Sequence, residues 1–305
     1  MVRVIFVFLC FPFLLKSQAD SIGSKIIVDH ADFMSFKTID NDQFQILSGH
    51  IAMHQDSMRL FCDSATIKNE KYVTAQSQVV IQHGISLTIF ADQLYYDAEL
   101  KIAQLKGNVI FMNEGRTLFT QNLEYDVETK IAKIETTTQL KADSLSLRAN
   151  KGVYEVIPKV ATFLDSVFVE NPDFQMLTDT LKYNMEYEIS EFSGPTVIQL
   201  DTGFIYAEGG YFNQVTNESG FWSNAKFERN NDIAEADTIF YDQENKISKL
   251  FGNASISQKN GSEIKGNYIE RNEIDQILNI EGCGYLYDST GILEANSIIF
   301  NQSEG

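Results

Sequence analysis

The sequence predicts an all-β, elongated repeat fold of about twenty strands. Three observations predict it: a small–polar dipeptide returns about every 29 residues, an aromatic column keeps step with it, and apolar stretches alternate with period two. Strict alternation places one face of a strand against a core and the other toward water. No apolar stripe of helical period interrupts the pattern, and only four prolines occur in the chain, which suits long ladders.

The N-terminus precedes the repeat. Arg3 gives a positive start, Val4 to Leu15 is an apolar run, and Ser17-Gln18-Ala19 has the small-x-small form of a cleavage site. Residues 1–19 therefore read as a secretory signal peptide, and 20–305 as one continuous repeat unit with no linker or change of composition. Of 42 acidic and 24 basic residues, net charge −18, few would serve a polyanion, so nucleic acid is excluded as a partner.

The dipeptide occurs as Ala31-Asp32, Cys62-Asp63, Ala91-Asp92, Thr120-Gln121, Ala149-Asn150, Thr178-Asp179, Ala207-Glu208, Ala236-Asp237, Gly266-Asn267 and Ala295-Asn296. Successive spacings are 31, 29, 29, 29, 29, 29, 29, 30 and 29. Three residues after the small residue come Leu94, Leu123, Leu181, Ile239 and their equivalents. Five after it come Phe36, Ile67, Tyr96, Tyr125, Tyr154, Tyr183, Phe212, Tyr241, Arg271 and Phe300, eight of the ten aromatic. The next residue is usually Asp, Asn or Glu, which predicts a turn. The acid or amide of the dipeptide itself, Asp92 and its equivalents, also reads as turn chemistry rather than as a catalytic carboxylate.

The second half of each copy alternates again: Ala103, Leu105, Gly107, Val109 and Phe111 share a parity, and Ile134, Phe163, Phe192 and Leu250 belong to related strings. Each copy is thus two strands and two turns. Two geometries fit. Copies wound as a coil would stack equivalent strands in parallel, whereas a V-shaped meander would pair them antiparallel with a structural period of two copies. Gly107-Asn108 and Gly252-Asn253 lie inside the alternation and predict bulges or close strand approach rather than phosphate loops.

The phrases ADQLYYD…IAQLKGNVIF, Ala91 to Phe111, and ADTIFYDQENKISKLFGNASI, Ala236 to Ile256, resemble the OstA/LptA-like family of periplasmic lipopolysaccharide-transport proteins, in particular long OstA-like proteins of the Bacteroidetes type. The weaker copies extend the resemblance over the whole mature chain. It implies a β-jellyroll open along one side (a "β-taco"), a periplasmic location with a part in outer-membrane assembly, and lipid A acyl chains held on the inward face. It also implies head-to-tail edge pairing with other folds of the same type. Such a groove would be lined by Leu94, Tyr96, Leu105, Val109, Phe111, Leu123, Tyr125, Ile134, Tyr154, Phe163, Tyr183, Phe192, Phe212, Ile239, Tyr241 and Leu250. The same columns would equally fill a closed core, as in a secreted structural solenoid or adhesin without lipid, and the sequence leaves both open.

Other chemistry is sparse. His50 and His54 lie on a predicted strand, about 13 Å apart, and with His30 and His83 they read as surface or rim side chains rather than a metal site. Cys62 and Cys283 have no nearby partner in sequence. No cofactor motif and no catalytic constellation is present, so the chain reads as a binding protein and not an enzyme. The sequence stops after the first strand of the tenth copy, which predicts either a longer chain or an edge that docks a partner.

Overall fold

A computed structural model describes residues 25–142 and 145–301. The expected signal peptide lies outside the described residues. The chain forms one antiparallel sheet of 22 strands. In order these are β1 (Ile27–His30), β2 (Phe33–Ile39), β3 (Asp42–Gln55), β4 (Met58–Lys68), β5 (Tyr72–His83), β6 (Leu87–Asp97), β7 (Ile102–Asn113) and β8 (Arg116–Asp126). Four shorter strands follow: β9 (Ile131–Ile134), β10 (Thr138–Ala142), β11 (Leu145–Ala149) and β12 (Lys151–Glu155). Then come β13 (Val160–Glu170), β14 (Phe174–Asn184), β15 (Ile189–Leu200), β16 (Gly203–Asn213), β17 (Glu218–Arg229), β18 (Asp232–Asp242), β19 (Ile247–Ser257), β20 (Glu263–Asn272), β21 (Ile277–Asp288) and β22 (Gly291–Asn301). Sixteen strands run unbroken, while β1/β2, β9/β10 and β11/β12 are each one strand split near its middle.

Pairing follows chain order, as in β5–β6, β6–β7 and β7–β8. This is the meander, not the parallel coil. Its period is one copy rather than the two expected, because every strand crosses the whole sheet and one copy already contains an outward and a return strand.

What folds the sheet is a bulge at the middle of every second strand, set against the dipeptide of the strands beside it. Between β7 and β8, Lys106 pairs with Asn122 and Val109 with Thr120, so Gly107 and Asn108 oppose Gln121 alone. Both bulged residues are left-handed, with φ of 77° and 46°. Two residues against one bend the strand and sharpen its twist. The same break recurs from Ser48/Ile51 to Glu281/Gly284, and aligned across the sheet it forms a crease.

The small–polar dipeptide lies on that crease, mid-strand, and not in a turn as the sequence suggested. Its small residue points inward, where Ala91 is buried and a larger side chain would hold the walls apart. Its polar residue points outward and bridges to the bulge of the next strand. Asn108 Nδ2 donates to Asp92 Oδ2 at 2.9 Å, Asn253 to Asp237 at 3.1 Å and Asn224 to Glu208 at 3.2 Å. The Asp92 carboxylate lies against Gly107, where a Cβ would meet it at 2.5 Å. Where the small residue is Thr178, its buried hydroxyl meets that of Thr196 at 2.8 Å.

The turn residues are those one place beyond the aromatic column. Asp97 Oδ1 accepts from the backbone N–H groups of Glu99 and Leu100, both at 3.0 Å, and Asp126, Asn184, Asn213 and Asn272 do the same at equivalent turns. Each of these Asx turns reverses the chain at one rim of the folded sheet. Cys62 is buried and Cys283 exposed at a bulge; both are free.

Gly107→Ala and Gly115→Ala test the crease. The two glycines have φ of 77° and 79°, but nothing approaches Gly115 within 4 Å. Denaturant unfolding should show a loss of about 1–2 kcal/mol for Gly115→Ala from the left-handed backbone alone. Gly107→Ala should cost clearly more, because Asp92 must also move. Equal losses would show that the carboxylate contact is unimportant.

Candidate functional site: the inner face and its mouth

Folding at the crease gives two walls whose apolar faces meet. One wall ends at the rim of Asx turns near Ala98 and Val127; the other ends at the rim that carries Gln55, His83 and Asn113. Because successive strands twist, contacts between the walls join strands three apart. Tyr96 on β6 reaches Gln55 on β3, and Tyr125 on β8 reaches His83 on β5. Phe111 packs on Tyr154 with ring centroids 5.0 Å apart.

All sixteen residues expected to line the inner face do point inward. Leu94, Tyr96, Leu105, Val109, Phe111, Leu123, Tyr125, Ile134, Tyr154, Phe163, Phe192, Ile239 and Leu250 are buried, while Tyr183, Phe212 and Tyr241 are partly exposed. The three partly exposed residues all belong to the aromatic column next to the turn rim in the second half; Phe192, Ile239 and Leu250, deeper on neighbouring strands, are buried. In the first half the side chains fill the space between the walls, leaving a void of about 10 Å³ beside Tyr96 and Leu60. A depression of about 510 Å³ lies at the N-terminal end and is lined by polar groups such as Asp29, His54 and Arg59.

The first half is also fastened at its mouth. The Tyr96 hydroxyl donates to Gln55 Oε1, and Gln55 Nε2 donates to the Ala98 carbonyl at 3.0 Å. Tyr125 Oη lies 2.7 Å from His83 Nδ1, and His83 Nε2 lies 2.9 Å from Ser57 Oγ. Asn113 Nδ2 donates to the Tyr154 hydroxyl at 3.0 Å. Lys101–Asp56 at 3.1 Å and Lys159–Glu114 at 2.9 Å join the same rims outside these bonds. Burial raises the Tyr96, Tyr125 and Tyr154 hydroxyls above the usual phenol range, so they stay protonated and able to donate. Ala98, Val127 and Met185 cover the core at the turn rim.

The second half has no equivalent fastening among the described residues. Phe212 carries no hydroxyl, and no bond across the mouth from Tyr183 or Tyr241 is present among the described residues, which leave out 143–144 on the rim near Tyr183. The rim positions that follow are Gln214, Gln243 and Glu273, which do not cap an apolar core. Phe174, Phe192, Phe212 and Phe221 instead form an aromatic cluster, with Phe212 and Phe221 centroids at 5.5 Å and Phe174 and Phe212 at 6.3 Å.

Sequence reading missed the polar partners of the tyrosines. Gln55, His83 and Asn113 recur near the repeat period and precede their tyrosines by 41, 42 and 41 residues. That regularity was available, but it has meaning only once the three-strand offset is known. The remaining histidines pair with carboxylates at the N-terminal edge: His50 Nδ1 lies 2.7 Å from Asp32 and His54 Nδ1 2.8 Å from Asp29. Among the described residues no group of three or more His, Cys, Asp or Glu could hold a metal ion.

Residues 23–179 and 141–237 match a family profile described as "OstA-like protein". No curated protein matches the chain. Among solved structures it is similar to LptH, the LptA-homologous periplasmic component of the conserved lipopolysaccharide transport device from Pseudomonas aeruginosa. The identity is 15%, the TM-score is 0.33, and the match covers 35% of this chain and 82% of that one.

The fastening makes two predictions. Tyr125→Phe removes the bond to a buried imidazole nitrogen and should cost about 1–3 kcal/mol in denaturant unfolding. Burial, with a smaller contribution from Lys130, lowers the His83 pKa below its ordinary 6.5. The unfolded state therefore binds more protons as pH falls through 6.5 toward the folded value, and stability is lost over that window. His83→Gln should flatten this part of the stability–pH curve; an unchanged slope would rule His83 out as its source.

Proposed function

Because the chain belongs to the OstA-like family, we propose that it is a periplasmic lipopolysaccharide-binding protein of the transport machinery that serves the outer membrane, with the acyl chains of lipid A held between its walls. The observation that carries this reading is the continuous apolar inner face, fastened in the first half and unfastened in the second. Tyr183, Phe212 and Tyr241 give acyl chains a partly exposed aromatic surface to land on. The buried columns Leu94 to Phe163 continue the same surface along the fold. Each methylene taken from water contributes about 0.8 kcal/mol. That gain can offset the wall-to-wall packing given up as the walls spread about the crease. Repetition gives successive positions of similar depth, which suits passage more than storage.

The three-strand offset supports head-to-tail pairing with similar folds. At the N-terminal end, one wall overhangs: Met34 and Phe36 of its inner face are 46% and 76% exposed. At the C-terminal end, the opposite wall overhangs, with Leu293 of its inner face 47% exposed. Two such ends are complementary, and among the described residues β1/β2 and β22 are the edge strands, which suits augmentation.

The complete burial of Tyr96 and Tyr125 favours a second reading, a structural solenoid with a permanently filled core. A photo-reactive residue at Leu105, Tyr125, Phe212 or Tyr241 separates the two. Crosslinks to lipopolysaccharide are expected from Phe212 and Tyr241 in cells. Absence of crosslinks from all four positions would leave the filled solenoid. Met34→Asp with Phe36→Asp should abolish concentration-dependent association measured by sedimentation while leaving the circular dichroism unchanged. Undiminished association would remove the head-to-tail assignment.

A further inference from the structure

Toward the C-terminal end of the inner face, the tyrosine tie of the first half is replaced by two arginines. Arg271 on β20 occupies the aromatic column that earlier holds Tyr96, Tyr125 and Tyr154. It shares a face with buried Ile269 and pairs with Ser248 and Leu278 on the neighbouring strands, so it points between the walls. Three strands back, its counterpart on the other rim is Arg229. That residue ends β17 as Gln55 ends β3 and Asn113 ends β7. Arg229 and Arg271 are 42 residues apart, against 41, 42 and 41 for the three ties.

The exchange turns a bond across the mouth into a repulsion. Neither guanidinium has a hydrogen bond or ion pair among the described residues, and Arg271 Nε is buried without a partner. A buried donor left unpaired on a charged group is costly. Arg229, at the outer end of its strand, is exposed.

The acids nearby leave this charge uncompensated. Tyr241 is the inward neighbour of Arg271, since both pair with Ser248 of β19. Burial raises the Tyr241 hydroxyl above the usual phenol range, Glu273 adds to this and Arg229 opposes it, so both charges stand near that hydroxyl. Glu273 makes no ion pair with either arginine among the described residues. Asp242 is engaged by Asn245 in its rim turn, at 2.9 and 2.7 Å.

Two guanidinium groups on opposite walls, over an apolar interior, match one ligand chemistry. A phosphate monoester has enough oxygens to accept from both planar forks at once, and its charge cancels the repulsion between them. We propose that Arg229 and Arg271 form an anion clasp for a phosphate group at the mouth of the second half, where the bound phosphate takes the place of the tyrosine tie. The phosphate belongs to the headgroup of a lipid whose acyl chains lie between the walls, or it is free; its recognition is the same. The lipid source rests on the acyl-chain reading of the interior, whereas the anion chemistry does not.

The test compares the full chain with a double variant, Arg229→Gln with Arg271→Tyr, which restores the kind of pair made by Gln55 and Tyr96. Each is titrated calorimetrically with lipid A, with dephosphorylated lipid A in the same uncharged detergent, and with inorganic phosphate. The native chain should bind lipid A about tenfold or more tighter than the dephosphorylated form, the scale of a hydrogen bond to a charged group. The double variant should bind the two lipids alike, with a thermal transition at or above the native one. That pattern assigns a lipid headgroup. Saturable binding of inorganic phosphate, lost in the double variant and with neither lipid bound, assigns a free anion and sinks the acyl-chain reading alone. Equal binding of the two lipids by the native chain would overturn the clasp and leave the acyl-chain reading standing. A phosphate preference that survives in the double variant would also overturn the clasp, and silence with all three probes would overturn both.

Discussion

The whole architecture depends on one local contact, the acid or amide of one strand bridging to the bulged, left-handed residue of the next. Without the bulge the sheet would be a flat ribbon with one face exposed. With it, every strand bends at the same level, and the two halves of each strand become opposite walls of one core. The Asp92–Asn108 bridge and the glycine beneath it show why the dipeptide and the Gly-Asn pair keep a common period. They are two sides of a single crease, and a shift of either would move the bend out of line with its neighbours.

The inner face adds a second level of organisation. The crease makes closure geometrically available all along the fold, and the mouth decides where closure is fastened. Tyr96, Tyr125 and Tyr154 each combine a buried ring with a hydroxyl that finds a polar partner on the opposite rim, so the same side chain fills the core and ties it shut. Further along the column, Phe212 keeps the ring and loses the tie. One repeat column therefore encodes both a segment tied at its mouth and one without such ties among the described residues.

Much of this was legible in the sequence. Period-two alternation identified the strands, the Asp97 column identified the rim turns, and Gly107-Asn108 was recognisable as a bulge. Alternation also set Leu94, Tyr96, Leu105 and Phe111 on one face, and all four are buried between the walls. Two things were not legible. Asp92 looked like a turn former because the residue types that favour turns are the same ones that cap a bulge, and only the pairing register separates them. The Gln55, His83 and Asn113 ties depend on a three-strand offset produced by accumulated twist, which no local pattern records. Residue spacing carries contacts along the sheet; it does not carry contacts across the cleft.

The pairing order has a consequence for how such a chain reaches its final form. Every ladder joins strands that are neighbours in sequence, and even the ties across the mouth span only 41 or 42 residues. Contacts this local keep the entropy of loop closure small. A β-protein of this size would ordinarily fold slowly, since distant strands must find one another. Here each hairpin can dock on the one before it as soon as both are available, and the crease extends copy by copy. Assembly becomes directional growth from the end that arrives first, with no long-range search and no stage at which the complete sheet must wait for its last strand.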